Sequence, residues 1–220
     1  YDTGNKHITL LDIQRARGTG QAWLPAVPYI GPELQIMDHF LTPATGPWAV
    51  PTGTPEEQDE KWGELWGAFE FFRLLSARPE LWSARFTAGL QDLLSARERL
   101  ALPGQADKVV WVTSDATLEL TGAIDWTHKV CARRSVEADM SKIQARIAGA
   151  TQDVIMSVAE LLSFVTFAGA MAQRWSGRLV LYAGDNMNVT SWLKKGGAGN
   201  LLARALLRIL RFLQATHHFQ

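Results

Sequence analysis

The stretch VVWVTSDATLELTGAIDW, residues 109–126, decides the fold. Val109, Val110, Trp111 and Val112 form a β-branched and aromatic run too short for a helix, so they read as a strand that delivers Asp115 at its end. Residues 118–126 read as a second strand turning back, with Gly122 and Ala123 leaving little side chain on it. An acid directly after a buried apolar run is costly to desolvate unless its charge is compensated, and a divalent cation is one such partner. An Asp that opens a turn is the plainer reading of the same position.

Two later stretches repeat the theme. In VIMSVAELLSFVTFAGAMAQRW, residues 154–175, Glu160 is the only acid in a nearly continuous apolar helix of about six turns. In RLVLYAGDNMNVTSWLKK, residues 178–195, a second hydrophobic strand ends in Asp185 and runs straight into a helix. The order is strand-end Asp, buried-helix Glu, strand-end Asp.

That order resembles ribonuclease H. The phrases TSDAT followed by GA, SVAELLSF and GDNMNVTSWLKKGGAGN resemble the ribonuclease H domain that follows reverse transcriptase in retroelements. Most similar is the tyrosine-recombinase class, the DIRS-like elements including the VIPER type, whose motifs read approximately TDAS, INxxEL and DNxxVxxxxxKG. The resemblance covers about half of the chain, residues 106–220. It implies that Asp115, Glu160 and Asp185 are the first three carboxylates holding two Mg2+ (or Mn2+) ions. The chemistry agrees: in-line phosphodiester hydrolysis uses one metal to activate water and another to stabilise the leaving oxygen. Without metals, three crowded acids repel.

The family normally supplies a fourth carboxylate after its last strand, whereas no Asp or Glu follows Asp185 in this sequence. The segment ATHHFQ, residues 215–220, reads as the approach to that strand, so the expectation is either a fragment or a domain that lacks the fourth acid. His217 and His218 stand near this region, where histidines are usually solvated. A transposase or integrase of similar fold is less favoured, because its last acid comes on a helix after the second Asp.

Composition sets wider bounds. With 220 residues, 47% of them hydrophobic, the chain has enough apolar surface for one sizeable core with an appendage or for two small domains. Its 22 basic and 22 acidic residues cancel, so any affinity for nucleic acid must come from charge distribution. The single Cys131 excludes an internal disulfide framework and fits a reducing compartment. No signal peptide is visible in the mixed charged and apolar start, which reads as an excised piece, and an intracellular location is expected. Residues 154–172 have the length of a membrane span, yet Ser157, Glu160, Ser163 and Thr166 suit a buried soluble helix, so no membrane partner is expected.

Residues 1–55 read as a loop-rich extension because Gly and Pro recur from Gly18 onward, with residues 7–13 a strand or short helix. Asp2-Thr3-Gly4 matches the aspartic-protease signature but has neither a preceding strand nor a second copy. His7 and His39 are not joined by any cysteine, which argues against a zinc site. Residues 56–105 read as a helical hairpin. Glu56, Glu57, Asp59 and Glu60 favour a helix start after Pro55, and Trp62, Leu65, Trp66, Phe69, Phe72 and Leu75 recur at helical spacing. After Pro79 a second helix over residues 80–100 carries Leu81, Trp82, Phe86, Leu90, Leu93 and Leu94. Core packing is the stronger reading of the aromatic stripe, base stacking the weaker. Placed ahead of the acid-bearing strand, the pair resembles the connection between polymerase and ribonuclease H.

From residue 127 to 153 the chain is more polar. His128, Lys129, Arg133 and Arg134 surround Cys131 on a third candidate strand, with His128 expected to face solvent, and residues 137–150 read as a helical insertion. After Asp185 the charge is one-sided: Lys194, Lys195, Arg204, Arg208 and Arg211 meet no acid. Arg204, Arg208 and Arg211 share a helix face opposite Leu202, Leu206, Ile209, Leu210 and Leu213. A solvated face is the plain reading. The Lys194-Lys195-Gly196-Gly197 turn beside the acids suits contact with backbone phosphates. The Asn188-Val189-Thr190 sequon falls in the helix after Asp185 and reads as incidental.

The expectation is an α/β domain with a ribonuclease H-like mixed sheet and flanking helices, over residues 106–220. The resemblance implies two-metal cleavage of the RNA strand of an RNA–DNA hybrid, read by shape and 2′-hydroxyl contacts, with a reverse transcriptase polymerase domain upstream. The alternative is a non-catalytic module serving as a structural or nucleic-acid-binding part of an assembly.

Overall fold

A computed structural model describes residues 8–24, 30–41, 46–78, 98, 101, 108–147 and 149–220. The chain forms two compact units, Tyr1–Ala88 and Gly89–Gln220.

The first unit packs three helices, α1 (Leu10–Trp23), α2 (Gly31–Asp38) and α3 (Pro55–Ser76). Thr9 pairs with Trp48 in an isolated bridge and then caps α1 by accepting from the Asp12 N–H. The segment expected to be loop-rich therefore holds two helices. Glycine was the misleading signal: a Cβ on Gly20 would lie 2.3 Å from a Leu34 methyl, so this glycine makes room for α2 against α1. Arg17 on α1 is paired with Asp38 on α2.

Helix α3 begins as its acids predict, with the N-cap Thr54 and Glu57 in the first turn forming a reciprocal capping box around Pro55. Trp62, Leu65, Ala68, Phe71 and Leu75 are buried, and Phe40 meets the Trp62 ring edge-on at 4.8 Å. Of the aromatic stripe, Trp62, Leu65 and Leu75 are core, while Trp66, Phe69 and Phe72 are half-buried. Asp2-Thr3-Gly4, His7 and the second helix expected after Pro79 lie outside the described residues.

The second unit is an α/β layer. Its strands are β1 (Val109–Ala116), β2 (Leu120–Asp125), β3 (Val130–Ser135) and β4 (Leu179–Tyr182), in the order β3-β2-β1-β4. The first three form an antiparallel meander, and β4 returns parallel to β1 after a helical crossover. The helices are α4 (Glu137–Arg146), α5 (Gln152–Met171), α6 (Met187–Lys195) and α7 (Leu201–His217). The third strand and the helical insertion thus occur where their sequence suggests.

Strand alternation decides which face carries which chemistry. Val110, Val112, Ser114 and Ala116 on β1 and Thr121, Ala123 and Asp125 on β2 are buried, while Trp111 and Asp115 are exposed. Helix α5 lies on the buried face, tied by Ser163 Oγ donating to the Gly122 carbonyl at 3.0 Å. It is the one described helix long and apolar enough to cross a membrane, and it forms the middle of this core, with Val158, Ala159, Leu161 and Ala168 fully buried.

Beyond α7, Phe219 is buried edge-on against Trp175 at 5.5 Å. Gln220 donates to the Arg178 carbonyl at 3.1 Å and accepts from the Val180 N–H at 2.6 Å, so the tail pairs along the outer edge of β4.

Candidate functional site

Parallel pairing brings the two strand-end acids to one edge. Val112 is matched with Tyr182, and Ala183 continues the ladder by donating to the Val112 carbonyl at 2.9 Å. Asp115 and Asp185 each stand three residues beyond that matched pair, at the carboxyl ends of neighbouring parallel strands. Open sheets bind ligands in that position. Both carboxylates are exposed.

Glu160 stands behind this edge on α5. Ser114 Oγ donates to the Glu160 backbone carbonyl at 3.4 Å, which docks the helix at that level of β1. The side chain is buried; Asn186 Nδ2 donates to Oε1 at 3.0 Å, while Oε2 is buried with no partner. Burial pushes the Glu160 carboxyl above its ordinary range, the Asn186 hydrogen bond opposes the shift, and the charges of Asp185 and Asp115 add to it.

Asn186 does two jobs at once. Its side-chain carbonyl caps α6, accepting from the Asn188 N–H at 3.0 Å and the Val189 N–H at 3.3 Å. Ser157 Oγ also donates to that oxygen at 3.1 Å, and Asn188 Nδ2 donates to Ser157 Oγ at 3.1 Å. The cap and the Glu160 contact make one network between α5 and α6. The signal in the sequence is the Asn that directly follows Asp185 at a helix start.

Tyr182 and Ser114 share a hydrogen bond at 3.1 Å below the acids. Burial raises the phenol pKa, the Ser114 contact counters it, and the three carboxylates reinforce it. Gly184 is required by this packing, since a Cβ there would lie 2.6 Å from the Tyr182 hydroxyl and 2.8 Å from its ring.

The three acids share an edge and press electrostatically on the same groups. Among the described residues, however, no three His, Cys, Asp or Glu side chains are gathered closely enough to hold one ion. Strand parity explains why: Ser114 is the β1 residue turned toward α5, and Asp115 leaves on the opposite face. The donor chemistry still suits a hard divalent cation, because the groups are carboxylates and the buried Glu160 Oε2 has nothing to neutralise it.

The basic residues divide. Lys194 and Lys195 are exposed in the last turn of α6, which Gly196 ends in the left-handed conformation at φ 65°. Arg211 is buried and donates to the Gly196 carbonyl, and the half-buried Arg204 donates to the Gly199 carbonyl at 3.1 Å. The shared face of Arg204, Arg208 and Arg211 is therefore not a solvated one, while Ile209, expected in the core, is 51% exposed. Helix α7 packs beside α5, and its Arg204 and Arg211 satisfy carbonyls of the α6–α7 loop.

His128 is likewise not solvent-facing. Its Nδ1 lies 2.6 Å from Asp125 Oδ2, and Asp125, fully buried at the end of β2, also accepts from Trp175 Nε1 at 2.8 Å and the His128 N–H at 2.9 Å. Burial alone would raise the Asp125 pKa, but the hydrogen bonds from Trp175 and His128 outweigh it and hold the carboxyl below its usual range.

Comparison of the chain with protein-family models, with curated proteins and with solved structures finds no match.

Proposed function

We propose that the second unit is a nucleic-acid hydrolase of ribonuclease H type that cuts the RNA strand of RNA–DNA hybrids. The observation that carries this reading is the parallel pairing of β1 and β4, which brings Asp115 and Asp185 to the same end of the sheet, the end at which Ser114 docks Glu160 of α5. A mixed sheet with one acid near the end of β1, another just beyond its parallel neighbour β4, and a third on the crossover helix supports the resemblance seen in the motifs.

Asp115, Glu160 and Asp185 are the residues that would hold Mg2+ or Mn2+, two ions by the family resemblance. When bound, such ions supply Lewis-acid stabilisation of phosphate oxygens and a water of lowered pKa. The chain's own part is positional. Asn186 fixes one oxygen of Glu160, so the other is aimed without loss of rotamer order. Ser114 and Tyr182 hold α5 and β4 in register below the acids. Lys194 and Lys195 stand in the last turn of α6, the helix that follows Asp185, and supply positive charge for a phosphate backbone.

The absence of a closed three-carboxylate group among the described residues favours a second reading, a nucleic-acid-binding module that does not cut. Incubation of labelled RNA–DNA hybrid, RNA duplex and DNA duplex with the protein and Mg2+ or Mn2+ separates the two. Cutting confined to the RNA of the hybrid supports the hydrolase. Binding of hybrid by folded protein with no cutting under either cation establishes the module.

A further inference from the structure

Helix α5 covers one face of the sheet, and the other face carries an aromatic end that the acid edge does not use. Pairing of Val112 with Asp125 continues to Trp111 and Trp126, with the Trp126 N–H donating to the Trp111 carbonyl at 2.9 Å. Directly opposed residues of an antiparallel pair project on the same side, so both indoles stand on the face turned away from α5. Trp111 is 50% exposed and Trp126 58% exposed.

Trp126 is held in place. Its Nε1 donates to Thr113 Oγ1 at 3.0 Å, so the indole lies along β1 with its polar atom satisfied. The Trp111 backbone N–H is satisfied by Thr127 Oγ1 at 3.0 Å. Two cations stand at this end: Lys108 precedes β1 and Lys129 lies in the β2–β3 turn, both exposed, while Arg133 shares the face but is in register with Gly122 and Asp115 at the far end of the strands. The acid nearest in sequence, Asp125, is fully buried and committed to Trp175 and His128. Asp115 shares the face but stands four residues further along β1, about 13 Å away at ordinary strand rise.

We propose that this face, at its Trp111–Trp126 end, binds single-stranded nucleic acid by stacking unpaired bases on the two indoles while Lys108 and Lys129 meet the phosphates. Two exposed indoles, one of them pinned to β1, bordered by exposed cations suit a stacking platform, and stacking needs no particular base. A duplex offers no free base face along its length, which selects an unpaired strand. The rest of the face mixes Thr113, Cys131 and Ser135 with the half-buried Leu120, Ile124 and Leu181, so what favours a nucleic acid over a protein partner is the positive charge of Lys108 and Lys129 beside the two indoles. This surface is separate from the acid edge and holds whether or not that edge cuts.

The test is fluorescence anisotropy of a short fluorescein-labelled oligodeoxythymidylate against the full chain at low salt. Trp111→Ala and Trp126→Ala each weaken binding by about tenfold to a hundredfold, and Trp111→Phe keeps most of it. Lys129→Ala lowers the salt dependence by about one phosphate contact. Circular dichroism and thermal melting of each variant confirm folding. Should Trp126→Ala unfold the chain, Trp111→Ala with its Phe control carries the test. Unchanged affinity in folded Trp111→Ala overturns the proposal. So does loss of binding only on joint Lys194→Ala and Lys195→Ala substitution, or a Trp-dependent dimer that binds no oligonucleotide.

Discussion

Asn186 donates its side-chain amide to Glu160 at 3.0 Å while its carbonyl caps α6, so one residue connects the helix after β4 to the buried acid of α5. Replacing it by alanine removes both functions. Asn186→Ala is expected to cost about 0.5–2 kcal/mol from the cap. Asn186→Asp keeps the cap but sets a second negative charge beside Glu160, so its stability rises more steeply with added Mg2+ than that of the wild type. Urea unfolding of the three proteins with and without Mg2+ measures both effects.

Glu160 has a raised pKa, so the folded state holds its proton to higher pH than the unfolded chain does. Its contribution to stability is therefore greatest below the ordinary carboxylate pKa of about 4.3 and declines as pH climbs through the raised value. Glu160→Gln removes that decline. In the absence of divalent cations the variant melts higher than the wild type near neutral pH, and the difference closes in acid. Parallel melting curves at every pH would show that the carboxyl is not strained.

Asp125 has the opposite sign. Its pKa is depressed, so its stabilisation is complete above the unfolded value of about 3.9 and disappears as pH falls through the depressed one. Asp125→Ala strands the Trp175 and His128 donors and is expected to cost about 2–4 kcal/mol. Asp125→Asn flattens the acid side of the stability profile, a change read by melting across pH ~2 to ~5.

Arg211 and the lysine pair separate structure from binding. Arg211→Met leaves the Gly196 carbonyl without its guanidinium and is expected to destabilise the fold by about 1–3 kcal/mol, with hybrid affinity preserved in the folded protein. Joint substitution of Lys194 and Lys195 by alanine leaves melting unchanged and lowers the salt dependence of hybrid binding by about two contacts. Filter binding across a salt series distinguishes the outcomes.

Periodicity made the sheet and its central helix legible, because β-branched runs and a long apolar segment have few other readings. Alternation also fixes the facing of the acid: with Val110 and Val112 inward, Ser114 must follow them and Asp115 must turn away. The same parity puts Asp125 inward, an acid that periodicity alone marks as buried. What the sequence hides is tertiary. Gly20 looks like a loop residue until Leu34 occupies the space its missing Cβ leaves. Arg211 looks solvated until the loop carbonyl it serves is known to lie over α7.

The most direct measurement is the rate of RNA-strand cleavage in an RNA–DNA hybrid against Mg2+ concentration, wild type beside Asp185→Asn and Glu160→Gln. The account predicts cutting that rises with Mg2+, stops on chelation, and falls by about a hundredfold or more in each folded variant, a loss of about 2.7 kcal/mol of transition-state stabilisation. Equal rates in wild type and variants, or cutting that survives chelation, would contradict a hydrolytic site built from the acids at this edge.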